Sequence, residues 1–372
     1  MRIGVLTYHR ALNYGALLQC HAMLQTLEQL GAEASVIDYR LHFIESSRNW
    51  RPRHCLKPSR NRVKRILRSR FDEFSREHLP LSERTYRKRS SLTASPPAID
   101  ALILGSDQIW NQSLHGGSFD TAFLGDFGPA SLKRIAYAAS FGGDAPLEPS
   151  QIETMRPLLK RLDAISVREA GAAATIKSIT GTAPKVVPDP SLLLASEAYA
   201  RFEQKPSQVQ SPFIFMHALQ YSPEIRETAG RLSELHGAPV VLALCNTTGA
   251  AARDAHTRGL FVTPGEWLWL IRNAACVVTN SFHATAFSLL FQTPFVVVPL
   301  GGILKARNQR LEALLTQVGL QARTAHSTAK DEIDRAHEHP IPWDQTAGQL
   351  TAMKAQGLDF LRANLQASLA AP

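Results

Sequence analysis

A chain of 372 residues exceeds the roughly 100–200 residues of an ordinary domain, so two domains are expected. Hydrophobic residues make up 44% of it and charged residues 20%, a globular composition that excludes disordered, collagen-like and coiled-coil chains. The formal charge of +9 is uneven: between Arg48 and Arg70 there are ten Lys or Arg and no Asp or Glu. Such a block fits a solvated helix face, or a contact with nucleic acid, an anionic membrane surface or a polyanionic substrate.

The longest apolar runs, such as Phe295–Leu300, are strand-sized and far from the ~20 residues that span a bilayer. Met1–Thr7 breaks off too soon for the apolar core of a signal peptide, so a cytoplasmic chain is expected, with association to the inner membrane face left open. Cys20, Cys55, Cys245 and Cys276 show no C-x-x-C pairing and read as free thiols.

The first forty residues read as a βαβ unit: a strand at Ile3–Thr7, a helix over about 15–30 and a strand at Ala34–Asp38. Over residues 60–78, Val63, Ile66, Leu67, Phe71 and Phe74 recur at helical spacing with arginines on the other face. Strand-like runs at Ala101–Leu104, Arg134–Ala139, Ala164–Val167 and Lys185–Val187 alternate with helical segments at Gln151–Leu162 and Glu169–Ser178. That alternation predicts a doubly wound α/β domain.

The polar, proline-bearing stretch Gln204–Pro212 reads as a linker. A second cycle follows, with strands at Phe213–His217, Val240–Leu244, Cys276–Thr279 and Phe295–Val298. Helices alternate with them at Ser222–His236, Gly265–Ala274, Ser281–Phe291 and Asn308–Val318, so the expected class is α/β with two Rossmann-like domains. The expected boundaries are 1–205, 206–342 and a C-terminal helix in 343–372 placed to pack back on the first domain.

Open parallel sheets bind ligands beyond the carboxyl ends of their strands, so chemistry is sought directly after each strand. After the first strand, Asn13 is placed to cap a helix whose free N–H groups attract anions, or simply to cap it. After Ala101–Leu104, the run Gly105-Ser106-Asp107-Gln108-Ile109-Trp110-Asn111 crowds polar groups suited to a sugar, or forms an Asx-turn on Asp107. Arg168 ends a strand with a fork for phosphate or carboxylate, or pairs internally with Glu169 or a nearby Asp. Ser281 and His283 open a helix leaving a buried strand, which suits His283 to acid–base work beside an anion or to a structural hydrogen bond. Lys305, Arg307 and Arg310, with Asn308 as a cap, form a cationic wall opposite Arg168 or a solvated basic turn. No G-x-G-x-x-G, P-loop, G-x-S-x-G or H-E-x-x-H motif is present, and His337-Glu338-His339 is read as surface, so neither a cofactor nor a metal is expected.

Taken together, these segments resemble the polysaccharide pyruvyl transferase family. The resemblance is carried by Thr7-Tyr8-His9 through Asn13-Tyr14-Gly15-Ala16-Leu17-Leu18-Gln19, Gly105–Asn111, Ala138–Gly142, Ser166-Val167-Arg168-Glu169, Asp189-Pro190-Ser191-Leu192 and Thr279–His283, in one order across roughly residues 1–320. It implies a glycosyltransferase-B-like pair of domains facing a cleft, phosphoenolpyruvate as donor and co-substrate, and a sugar or glycan acceptor, lipid-linked in some settings, as in exopolysaccharide biosynthesis. It implies catalytic roles for Arg168 and His283 and a donor side made of Arg168, Ser281, His283, Lys305, Arg307, Asn308 and Arg310. The acceptor side comprises His9, Asn13, Tyr14, Gly15, Gln19, Ser106, Asp107, Gln108, Trp110 and Asn111. Ala284 stands where the family often has glycine, and the Arg48–Arg70 block matches no family pattern. The competing readings are a nucleotide-sugar-dependent glycosyltransferase and a non-catalytic polyanion-binding protein; specific nucleic-acid binding is not expected.

Overall fold

The structure is a computed structural model and describes residues 1–40, 58–114, 119–143, 146–244 and 257–369. Eleven short strands are described: β1 (Arg2–Leu6), β2 (Glu33–Val36), β3 (Ala101–Leu104), β4 (Lys133–Ala139), β5 (Ala164–Val167), β6 (Lys185–Val186), β7 (Ile214–His217), β8 (Val240–Ala243), β9 (Thr257–Leu260), β10 (Cys276–Thr279) and β11 (Phe295–Val297). The first six form one parallel sheet in the order β2-β1-β3-β4-β5-β6, and the other five a second in the order β11-β10-β7-β8-β9. Val5, Ile103, Leu104 and Ile135 in the first sheet and Phe215, Leu242 and Val278 in the second are fully buried. Burial on both faces explains why these strands read as unbroken apolar runs rather than alternating ones.

Each sheet reverses its strand order once. The chain runs from β1 to β2 on one side and then places β3 on the other; in the second sheet it runs β7, β8, β9 and then places β10 beside β7. The crevices beyond β1/β3 and β7/β10 are therefore the ligand positions of this topology. Both face the boundary between the sheets, where Tyr14 of the first helix (Tyr14–Gln29) stacks on Trp267 of the second domain, with centroids 5.3 Å apart and planes 11° from parallel. Tyr14 Oη donates to the Val262 carbonyl at 3.1 Å. A single apolar cluster runs through this boundary and includes Leu17, Val187, Phe215, Trp267 and Phe287.

The helix Pro58–His78 buries Leu67, Phe71 and Phe74 as its periodicity requires. Its arginines are not all free to meet a partner: Arg70 Nη1 lies 3.0 Å from Glu266 Oε2, and Arg68 Nη1 donates to the Arg10 carbonyl at 2.6 Å. The rest of the Arg48–Arg70 block, with Cys55, falls largely outside the described residues, as does Cys245. Residues 204–213 form no regular element, and the helix Trp343–Leu369 returns to the first domain, where Phe360 meets the Tyr137 ring at 6.0 Å. His337 ends the helix Lys330–Glu338 rather than lying in a loop, with its Nε2 3.1 Å from His236 Nε2. No helix among the described residues is long and apolar enough to cross a membrane.

Gly265 marks a close approach between the two halves of the chain. It lies in the first turn of the helix Pro264–Asn273, and a Cβ there would collide with the backbone carbonyl oxygen of Phe202. Helix propensity alone favours Ala over Gly by about 1 kcal/mol, but backbone cannot yield as a flexible side chain does. Gly265→Ala is therefore expected to destabilise the protein by about 1–3 kcal/mol, the usual range for overpacking. Denaturant unfolding measures this, and an unchanged or raised midpoint would contradict the contact.

Candidate active site

The loops at the two reversal points meet around one buried carboxylate. Asp189 follows β6, caps the short turn Pro190–Leu192 and is fully buried. Its Oδ1 accepts from the Ser191 N–H at 3.0 Å and from Ser191 Oγ at 2.8 Å; Ser106 Oγ, after β3, lies 3.1 Å from Oδ2. Arg168, directly after β5, places Nη1 2.7 Å from the same Oδ2, and His283 of the second domain brings Nε2 to 3.6 Å. The last distance is an ion-pair contact, too long for a hydrogen bond. Burial by itself would raise the Asp189 carboxyl; the adjacent His283 and Arg168, with the Ser191 N–H, outweigh burial and hold it well below the usual carboxylate range.

Arg168 is surrounded by acids. Nη2 lies 3.4 Å from Asp107 Oδ1 and Nε 3.8 Å from Glu169 Oε2, and the guanidinium sits over the Phe282 ring at 4.8 Å. Burial opposes its charge, and Asp189, Asp107 and Glu169 outweigh burial, so its pKa is raised. The internal ion pair foreseen with Glu169 or a nearby Asp is thus what the fold builds, and it occupies most of the fork. Asp107 holds a left-handed backbone at φ 73°. Such strain in a non-glycine residue persists only where the surroundings impose it, most often at functional sites.

His283 lies in the first turn of the helix Phe282–Leu290, where Ser281 Oγ accepts from the Ala284 N–H at 3.4 Å. Its ring packs against Gly15, and a Cβ on Gly15 would fall inside the imidazole. Asn13 Oδ1 accepts from the Ala16 N–H at 3.1 Å, so the start of the first helix and the start of the His283 helix converge on one ring. Each helix start presents unsatisfied N–H groups and partial positive charge.

Arg310 completes the cluster from the second domain. Its Nη1 is 3.8 Å from Asp107 Oδ1, and the Gln108 amide, turned so that its oxygen faces Arg310, accepts at 3.2 and 2.8 Å. Burial and the nearby Arg168 lower Arg310 to about 10, so it stays charged at neutral pH, and its buried Nε has no hydrogen-bond partner. In that orientation the Gln108 amide nitrogen lies 2.8 Å from the Asn111 amide, which belongs to the same wall.

Several other sequence candidates serve the interior. His9 Nε2 is 3.1 Å from Asp38 Oδ1 in a separate network with Arg40 and Thr85, and Gln19 Nε2 donates to Thr7 Oγ1 at 3.0 Å. Trp110 Nε1 donates to the Phe123 carbonyl at 3.0 Å. Asn308 does not cap its helix; its amide clamps both backbone groups of Leu300, at 2.9 and 3.0 Å. Lys305 is exposed and Arg307 half-buried on the turn Gly302–Arg307, which passes close to Gly143 of the first domain, so only Arg310 of the cationic wall enters the buried cluster. Asp189 and Glu169 were visible only as motif letters, and His217, at the end of β7, looked like the last residue of an apolar strand. Among the described residues no group of three or more His, Cys, Asp or Glu is arranged to hold a metal ion.

Two parallel Rossmann-like sheets with a charged cluster between them define a glycosyltransferase-B-like protein. UDP-GlcNAc 2-epimerases from Neisseria meningitidis and Methanocaldococcus jannaschii share this fold. The first has a TM-score of 0.54 and 11% identity, covering 98% of this chain and 100% of its own; the second has 0.52 and 11%, covering 96% and 100%. Arabidopsis thaliana UGT89C1 follows at 0.51 and 9%, covering 98% and 99%. Identities this low speak to fold alone. Comparison with curated proteins gives no match. The chain belongs to the polysaccharide pyruvyl transferase family, whose model matches residues 13–301 and with them nearly all of the cluster; it is a family of transferases.

Removing one charge from a buried network costs about 3–5 kcal/mol, because its partners are left uncompensated. Asp189→Asn is expected to lower stability by that amount at neutral pH. Because the folded carboxyl sits below its unfolded value, the wild-type advantage is full above the unfolded pKa of about 4 and shrinks as pH falls further. Unfolding of both proteins at pH 7 and pH 3 measures it, and a gap that widens on acidification would contradict the assignment.

Proposed function

We propose that this protein transfers a pyruvyl group from phosphoenolpyruvate to two hydroxyls of a sugar in a polysaccharide or its lipid-linked precursor, forming a ketal and releasing phosphate. The observation that carries the reading is the meeting of His283 and Arg168 at Asp189, with Arg310 beside Asp107, in a chain of this family. Phosphoenolpyruvate presents a phosphate and a carboxylate. Arg310, with an unpartnered Nε, and the converging helix starts at Asn13 and Ser281 suit those groups.

One proton adds to the methylene carbon and leaves a cation at C2. The first sugar hydroxyl attacks C2 and loses its proton; the C2–O bond to phosphate breaks, and the second hydroxyl closes the ketal and loses its proton. Of the two protons released, one replaces that delivered to carbon and one leaves on the phosphate. His283, the imidazole where the two helix starts converge, is the group in the cluster suited to move protons in this scheme. Arg168, held by three carboxylates, fixes the geometry of Asp189 and faces the developing charge rather than gripping the donor with a free fork. Ser106, Asp107, Gln108 and Asn111 border the acceptor on this reading, with His9, Gln19 and Trp110 behind them as support.

Incubation with phosphoenolpyruvate and candidate glycans, read as phosphate release together with a pyruvyl mass increment on the glycan, tests this directly. His283→Gln is expected to cut kcat per folded molecule by about 10²–10⁴, the usual contribution of general acid–base catalysis, beyond any loss of stability from the weakened contact with Asp189. Thermal stabilisation by uridine diphosphate but not by phosphoenolpyruvate would instead favour nucleotide-sugar transfer.

A further inference from the structure

Next to His283 lies a second buried imidazole with no part in that scheme. His217 ends β7, at the point where the second sheet reverses its strand order, and is 4% exposed. Ligands of open α/β sheets bind in the crevice beyond such a reversal. Its backbone carbonyl accepts from Thr279 Oγ1 at 2.6 Å, which ties the end of β7 to the end of β10, three residues before the His283 helix begins. Across the domain boundary, Tyr14 presents its ring edge-on at 5.9 Å.

The tautomer of His217 follows from its partner. Trp267 Nε1 lies 3.2 Å from His217 Nδ1. An indole N–H only donates, so Nδ1 is the acceptor and the ring proton sits on Nε2. Burial, with His283 acting in the same sense, lowers His217 to about 3, so it is neutral at neutral pH. A ring in this state neither serves as a general base through Nδ1 nor carries charge; what it offers is one N–H of fixed direction. That Nε2–H has no hydrogen-bond partner among the described residues. An N–H without a protein partner is left for water or a ligand to take.

We propose that His217 is a donor-substrate binding residue, a neutral imidazole locked by Trp267 so that its Nε2–H meets an anionic oxygen, phosphate or carboxylate, beside His283. Neutrality suits this place. A further full cation would be costly to bury beside His283, whereas a neutral N–H adds to anion binding without that penalty. The proposal rests on the pyruvyl-transfer reading for the identity of the donor, but not for the existence of the anion site.

Two amide substitutions separate the two ends of the ring. The Asn amide overlies Nδ1, and His217→Asn keeps an acceptor for Trp267 while losing the group at Nε2. The Gln amide reaches the Nε2 position, and His217→Gln keeps a cleft donor while leaving the Trp267 N–H unpaired. Titration of each full-length protein with phosphoenolpyruvate, and separately with inorganic phosphate, is expected to show affinity reduced about tenfold or more in His217→Asn with Tm near wild type. His217→Gln should bind within a few-fold of wild type but melt at a lower temperature. A structural histidine gives another pattern: both variants change Tm only, and binding is equal to wild type. Equal binding, the reverse order of affinities, or failure of both ligands to bind the wild-type protein overturns the proposal. Phosphate binding that follows the expected order without any binding of phosphoenolpyruvate would uphold His217 and sink the pyruvyl-transfer reading.

Discussion

A carboxylate with no exposure to water cannot stand alone, and the architecture between the two sheets follows from how Asp189 is neutralised. An unpaired buried charge costs many kcal/mol, so the fold surrounds it with a serine N–H, two hydroxyls, a guanidinium and an imidazole. Those partners come from the ends of different strands: Ser106 after β3, Arg168 after β5 and His283 after β10. Satisfying one residue therefore fixes the relative position of three loops and of two domains. Gly15 obeys the same demand, since a side chain there would take the volume that the His283 ring occupies.

The neutralisation has a chemical consequence. With Asp189, Asp107 and Glu169 around it, Arg168 is committed to the protein, whereas Arg310 has Asp107 at 3.8 Å and the Gln108 amide. Burial brings Arg310 down to about 10, and the nearby Arg168 adds to the shift. Carboxylates in excess near Arg168 and a looser setting for Arg310 thus separate a cation that orders the loops from one that is less compensated.

Much of the fold was legible because parallel strands buried on both faces are continuous apolar runs. Ala101–Leu104, Ala164–Val167 and Cys276–Thr279 were read with the observed limits. The four-residue edge strand Thr257–Leu260, carrying Arg258 and Gly259, lacks that signature and was missed. In the site, His283 and Arg168 stood out because strand ends predict where a chain can meet ligand. What each touches was not legible. The pairing of Arg168 with Asp107 and Asp189 spans 61 and 21 residues, and nothing local distinguishes a captive arginine from a free one. The same limit explains Asn308, where a plausible cap is spent on Leu300, and His217, whose meaning depends on an indole fifty residues away.

That indole also shows why stability and function are hard to separate here. Trp267 stacks on Tyr14 across the domain boundary and donates to His217 through its indole N–H, within the apolar cluster that joins the sheets. One side chain thus sets the spacing of the domains and the direction of an N–H at the cleft. A packed aromatic boundary resists the wide hinge opening that polar interdomain contacts permit, which favours a site whose groups are held in place before the ligand arrives. Loss of packing at Trp267 would displace His217 and His283 together, and its effect on turnover would be mistaken for lost chemistry. Substitutions confined to one edge of a ring, with the fold measured alongside binding, are what distinguish the two.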